Sequence, residues 1–379
     1  MKRDLAPTGQ DFPPPPRANP ELIGHAAAET MLLQAWAARR LPHALILGGP
    51  RGIGKATLAF RLARFLLAAG EGPEEGGGLF GAAPPPLPES LATAPDDPVF
   101  RRVVAGGHAD LVTIERAWDD KRKRLRGEIV AEQARAIPGF LRMTPAEGGW
   151  RIVVVDGAEE MNRNSANALL KILEEPPRRA MLILVSHNPG RLLPTIRSRC
   201  RKILLKPLLE AEAVALLRRY RPELGEGDAT SLARLAGGSV GRALELAEAG
   251  GLDLYRDLLK LLGSLPQLDV VALHGLADKL ARADAEEAYR TVTDLLSGWL
   301  PRMVGLEARA QAGQGAGEGA EIVPGEAALM RRLAARRGLD RWVEVWEKVT
   351  RLFAQADGVN LDRKQVVLNA FFELEGAAR

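Results

Sequence analysis

Thiols are almost missing from this chain, with Cys200 as its single cysteine. That excludes an internal disulfide framework and any zinc site built from several thiolates of this chain. A reducing, cytoplasmic setting is the expected one. Aromatic residues are sparse, at 5%, while Ala, Leu and Arg abound. This balance favours helices, with clusters of Ile, Val and Leu marking a few short strands. No run of about 18 apolar residues occurs, so no membrane span is expected. The opening stretch MKRDLAPTGQDFPPPP lacks the apolar core of a secretory signal. There is no internal repeat, and no serine, cysteine or histidine constellation of the sort covalent catalysis requires. An excess of one charge is nearly absent too. The formal net charge of +4 fits a nucleic-acid neighbour without requiring one.

What is present is organised around His43 to Phe60, HALILGGPRGIGKATLAF. A short apolar run, Ala44 to Leu47, reads as a buried strand. Gly49 to Lys55 is too glycine-rich for regular structure, and Ala56 opens an amphipathic helix. Glycines let backbone N–H groups and a helix N-terminus approach a phosphate, and Lys55 adds a positive charge for its outer oxygens. Gly49, Gly52, Gly54 and Lys55 belong to this loop; the alternative is a vestigial turn kept for packing. Against G-x-x-x-x-G-K-[ST], Ala56 stands where a magnesium-binding hydroxyl belongs, and Thr57 carries one a position late.

The chain's 379 residues allow two or three domains. Residues 1–17 read as a disordered arm, since a proline run neither continues a helix nor pairs as a central strand. Pro20 to Arg40 reads as helical, and 71–98 as a mobile surface insertion rich in Gly and Pro. HADLVTIE (His108 to Glu115) suggests a strand, followed by a basic hairpin tip at Lys121, Arg122, Lys123 and Arg124. This tip is either a solvated turn or a contact for DNA phosphates. Ile129 to Leu141 reads as a helix. RIVVVD (Arg151 to Asp156) has the pattern of a parallel strand buried on both faces with a carboxylate at its tip. Asp156 then either faces a magnesium ion or caps the next turn. Gly157 stands where related ATPases carry a water-activating carboxylate, and Glu159 and Glu160 are expected to turn away. Asn162 to Glu175 reads as a helix stopped by Pro176 and Pro177. Met181 to Val185 is the next buried strand, with Ser186 at its carboxyl end either sensing a phosphate or forming a turn. Beyond Pro207 the periodicity is helical. Its Leu and Trp stripes are core or interface rather than cofactor contacts, with a flexible loop expected over 305–325.

Read in order, GPRGIGKATLA, HADLVTIE, RIVVVDGAEEMNRNSANALLKILEEPP, LILVSHNPGRLLPTIRSRC and GGSVGRALEL resemble the clamp-loader branch of the AAA+ ATPases. The most specific pieces are ANALLKILEEPP (Ala166 to Pro177) and the triplet Ser198, Arg199, Cys200. The resemblance implies an α/β fold: an AAA+ P-loop domain with a parallel sheet over 18–206. A helical lid over 207–249 and an all-α collar for oligomerisation over 250–379 follow. It implies an ATP site using Gly49, Gly52, Gly54, Lys55, Thr57 and Ser186, magnesium at Asp156, and a second-sensor role for Arg242. It also implies Arg199 as an arginine finger acting on a neighbour's ATP. The implied partners are gamma/tau-type motor subunits and a delta subunit in a hetero-pentamer, a sliding clamp and primed DNA. Three departures matter. Ala56 and Gly157 remove a metal ligand and a carboxylate, and the thiolate zinc module of motor subunits is missing, with the 71–98 insertion in its place. ATP binding is therefore expected more than hydrolysis.

Overall fold

The computed structural model describes residues 13–70, 88–120, 124–147, 149–312, 321–359 and 361–379. The chain forms two compact units, Met1–Glu212 and Ala213–Arg379.

In the first unit, α1 (Ala26–Ala37), β1 (Ala44–Gly48), α2 (Lys55–Ala69) and α3 (Pro98–Val104) are followed by β2 (Leu111–Ile114). A small hairpin of β3 (Trp118–Asp119) and β4 (Arg124–Leu125) precedes α4 (Ala131–Arg142). Next come β5 (Arg151–Asp156), α5 (Arg163–Glu174), β6 (Ala180–Ser186), α6 (Pro194–Arg197) and β7 (Arg201–Leu204). Among the described residues, five strands make one sheet in the order β2-β5-β6-β1-β7, every pair parallel. Side chains alternate across each strand, so each run of apolar residues feeds two cores. Leu45, Leu47, Ile152, Val154, Ile183 and Val185 meet Leu32 and Trp36 of α1 and Leu58, Leu62 and Leu66 of α2. Ala44, Ile46, Val153, Val155, Leu182 and Leu184 meet Ile137 and Leu141 of α4 and Leu169 and Leu173 of α5. Cover on both faces explains why these strands are apolar throughout rather than alternating.

The second unit is helical. α7 (Glu210–Tyr220) begins at the boundary. α8 (Glu226–Leu235), α9 (Val240–Glu248), α10 (Gly251–Ser264), α11 (Val270–Leu280) and α12 (Glu286–Gln311) come next, then α13 (Glu326–Ala334), α14 (Leu339–Val359) and α15 (Arg363–Ala378). Its core holds Tyr255, Leu262, Leu296, Trp299, Trp342, Val349 and Phe371, all nearly or fully buried. Glu326 is buried as well, and it ties the turn before α13 together. It accepts from the Tyr255 hydroxyl, from Arg302 at 2.9 Å and from the Ile322 N–H at 2.9 Å.

Three stretches expected to be unpacked differ where they are described. Residues 1–12 lie outside the described residues, but the Arg17 and Asn19 carbonyls accept from buried Arg64 at 2.7 and 2.8 Å. Of 71–98, residues 71–87 are not described. Leu91 is fully buried in the α1–α2 core, and its N–H donates to Glu29 at 2.7 Å. Leu91 in this core, its amide bound, and the buried Thr93 seat this part of the Gly/Pro-rich segment. In 305–325, α12 runs on to Gln311 through Gly305, because one helical glycine costs only about 1 kcal/mol. Residues 313–320 are not described, and Ile322 is buried.

Candidate functional site

The carboxyl ends of β1, β5 and β6 and the first turn of α2 converge, the place where open parallel sheets bind ligands. Two glycines shape the loop. Gly49 has φ +144°, and a Cβ there would lie 2.5 Å from the Leu205 carbonyl oxygen. Gly54, with φ +98°, precedes α2 in the left-handed region that only glycine enters without strain. The loop is held from outside by His25, whose Nε2–H donates to the Ile53 carbonyl at 2.6 Å.

Lys55 is 3% exposed and donates to the Pro50 carbonyl within its own loop. Burial brings its pKa down to about 8, against the pull of Asp156 and Glu159. Burial raises the Asp156 carboxyl, Glu115 adds to the rise, and Lys55 opposes it. Ser186 lies beside Gly48 in the β1–β6 register and is fully buried; its Oγ has no partner among the described residues. His187 Nδ1 is likewise buried and unpartnered, and its pKa is lowered first by burial and then by Lys55. Thr57 is buried in the first turn of α2. Successive helical residues point about 100° apart, so its hydroxyl does not take the direction a residue at Ala56 has.

Glu159 does not turn away. Its Oε1 accepts from the His187 and Asn188 N–H groups at 2.7 and 3.3 Å, while Oε2 is buried without a partner. Glu160 instead pairs with Arg116 at 2.8 Å. Gly157 parts the two, for its φ of +75° starts a 3-10 turn, Ala158–Glu160. Sequence reasoning missed Glu159, since its direction depends on a left-handed turn that no periodicity reveals.

Arg199 lies elsewhere on the same unit. Cys200, 8% exposed, is anchored in the α4–α5 core with Leu192 and Ile196, and burial pushes its thiol up to about 12. Arg199 therefore faces outward. Its guanidinium donates to the Thr195 carbonyl at 3.0 Å and to Glu174 at 2.8 Å. Glu174 ends α5, so the two most specific sequence pieces are joined by one ion pair. Arg242 belongs to the second unit, exposed in the first turn of α9, where its N–H donates to the Ser239 cap at 3.2 Å.

Among the described residues, no three His, Cys, Asp or Glu side chains are grouped to hold a metal. The left-handed glycines, the buried lysine, the unpaired Ser186 hydroxyl and the 15-residue helix α2 suit an anionic phosphate group. Asp156 places one carboxylate at the strand ends, and Ala56, the position after Lys55, carries no side-chain oxygen. No described helix is long and apolar enough to cross a membrane.

Strand order and glycine–lysine turn together define the first unit as a P-loop α/β domain of AAA+ type. Comparison with known proteins narrows this. A family model described as DNA polymerase III, delta subunit, matches residues 90–209. The chain is 34% identical to DNA polymerase III subunit delta' of Pseudomonas aeruginosa over 197 residues, 52% of this chain and 53% of that protein. To subunit delta' of Escherichia coli it is 30% identical over 243 residues, 64% of this chain and 66% of that protein. A gamma/tau subunit of Mycobacterium bovis is 30% identical over 291 residues, 75% of this chain and 46% of that protein. The chain belongs to the clamp-loader family of DNA polymerase III subunits. It spans about half the length of the Pseudomonas and Mycobacterium relatives, 53% and 46%.

Proposed function

We propose that this chain is a delta-prime-type subunit that assists ATP-driven loading of a sliding clamp onto primed DNA in the cytoplasm. The observation that carries this reading is a contrast. Arg199 is held at the surface by Glu174 and the Cys200 anchor, while the chain's own loop lacks a hydroxyl at Ala56 and a carboxylate at Gly157. A finger is kept where its own motor parts are lost.

ATP with magnesium would supply the energy of loading through its hydrolysis on the motor subunits; on this chain it would be held rather than cleaved. Lys55, the loop N–H groups from Gly49 to Gly54, Thr57 and Ser186 would hold the phosphates, Asp156 would face the metal, and Arg242 would act as second sensor. None of these activates a water, so turnover by this chain is expected to be weak or absent. Arg199 reaches a neighbouring motor subunit of gamma/tau type. There its planar charge stabilises the transition state, a contribution worth about 10³- to 10⁵-fold in related systems. Residues 207–249 act as a lid and 250–379 as the collar that joins this subunit to motor and delta subunits in a hetero-pentamer.

The test is reconstitution with motor subunits, delta, clamp and primed DNA. Arg199→Ala is expected to leave the assembly intact and lower DNA-stimulated ATP turnover; unchanged turnover would sink the assignment.

One observation favours a second reading, an active gamma/tau-type motor. Glu159 lies close enough to Lys55 to raise its pKa and has an unpaired oxygen, so it offers a carboxylate in place of the one missing at Gly157. ATP turnover by the isolated chain that Lys55→Ala abolishes would establish that reading.

A further inference from the structure

The helical unit encloses a hollow of about 280 Å³, walled by α8, α12, α13 and the turn before α13. Sites for small molecules begin at about 300 Å³, so a small ligand is the size it suits. Three guanidiniums line it, Arg234 from α8 and Arg302 and Arg309 from α12, facing an apolar remainder of Leu306, Ile322 and Met330. Cations and hydrocarbon share one cavity.

The two carboxylates of the wall, Glu321 and Glu326, are already engaged. Glu321 accepts from the Gly325 and Ala327 N–H groups at 3.1 and 3.2 Å, where its charge balances the positive end of α13. Glu326 Oε1 accepts from the Tyr255 hydroxyl and from Arg302 at 2.9 Å, and its Oε2 from Arg302 at 3.3 Å and the Ile322 N–H at 2.9 Å. Arg302 is thus both held and balanced by a buried partner. Arg234 is fixed too, donating to the Glu321 carbonyl at 2.8 Å. Arg309 is exposed, and among the described residues no ion pair or hydrogen bond restrains its guanidinium. Three cations against two engaged carboxylates leave the hollow electropositive, a setting that favours an anion.

Geometry narrows the anion. A planar carboxylate is matched by a single guanidinium fork, whereas here the guanidiniums come from two helices. A phosphate group presents three acceptor oxygens and about −1.5 to −2 charges at neutral pH, so it can answer donors from more than one direction. The apolar wall adds a second requirement, since a bare ion leaves Leu306, Ile322 and Met330 without a partner. An organic remainder covers them.

We propose that this hollow binds a small phosphate ester, its phosphoryl oxygens on Arg234 and Arg309 and its organic part against Leu306, Ile322 and Met330. The inference stands apart from the proposed function, because every residue it uses belongs to the helical unit and none to the P-loop.

The test is isothermal titration calorimetry of the full chain at low salt with phenyl phosphate, inorganic phosphate and benzoate. Phenyl phosphate is expected to bind tightest, since its ring buries apolar surface that inorganic phosphate lacks and its charge exceeds that of benzoate. Arg309→Ala should weaken it about tenfold, in line with one lost hydrogen bond to a charged group, with an unchanged circular dichroism spectrum. Arg309→Lys should keep part of the affinity, and Lys55→Ala all of it. No binding of phenyl phosphate at millimolar concentration, indifference to Arg309→Ala, or benzoate binding as tightly would each overturn the proposal. So would binding lost in Lys55→Ala and kept in Arg309→Ala, which would place the ester on the P-loop. ATP turnover is not read in these measurements, so their failure leaves the Arg199 assignment standing, and the reverse holds too.

Discussion

Lys55 is a buried cation whose nearest acceptor is a carbonyl of its own loop. With its pKa brought down to about 8, it is charged at neutral pH and begins to lose that charge just above. A bound phosphate would raise the pKa, so the lysine's contribution to affinity is full below pH 8 and falls as pH rises from 8 through the bound value. Nucleotide affinity, read by calorimetry, should therefore decline above pH 8 by at most about tenfold per unit, and Lys55→Ala should remove that dependence. Cys200 gives a second prediction. A buried thiol pushed up to about 12 stays un-ionised, so a disulfide reagent should label it only after denaturation. The places of Gly54 and Lys55 at the start of α2 and of Asp156 at the tip of β5 were legible in the sequence, because each sits at a fixed offset from an apolar run. Glu159, Ser186's missing partner and His25 beneath the loop were not. Each depends on segments brought together by the sheet, and local spacing carries no trace of that.

Among elements, α5 and the short α6 work as a pair. The apolar spacing of Leu169 and Leu173 and the two prolines after Glu175 made α5 readable in advance, as did its Asn162 cap, whose side chain accepts from the Ser165 N–H at 2.9 Å. What the spacing does not contain is the ion pair from Glu174 to Arg199. Its two side chains are 51% and 36% exposed, and such pairs contribute less than about 1 kcal/mol. Glu174→Ala is thus expected to leave the melting temperature nearly unchanged. Its effect should appear instead in the reconstituted assembly as a changed DNA-stimulated turnover, because the guanidinium loses the partner that sets its direction. A large fall in stability of the isolated chain would show that the pair is structural. Stretches rich in Gly and Pro were the least legible elements. Composition predicted looseness throughout 71–98, but Leu91 finds a core to enter and Glu29 to bind its amide.

For the whole molecule, the apolar runs announced a parallel sheet and the later periodicity announced helices. The order in which strands lie side by side needed the structure. Within the second unit's apolar core lies Glu326, a carboxylate 1% exposed and paired with Arg302. Removing it leaves the Tyr255 hydroxyl, Arg302 and the Ile322 N–H to find other partners, so Glu326→Ala should cost about 3 kcal/mol. In a thermal scan the helical unit should then melt first, while nucleotide binding by the P-loop unit persists to higher temperature. Gly157 has a different consequence, one for what the position can accept. A side chain there would have to accept φ of +75°, and its Cβ would lie 2.5 Å from the Glu160 carboxylate, which Arg116 holds in place. A glutamate here is more than one substitution away, because the backbone turn and the Glu160 pairing must change with it. Position 157 is in this sense locked: whichever part the chain plays, the turn has to be rebuilt before a carboxylate can stand there.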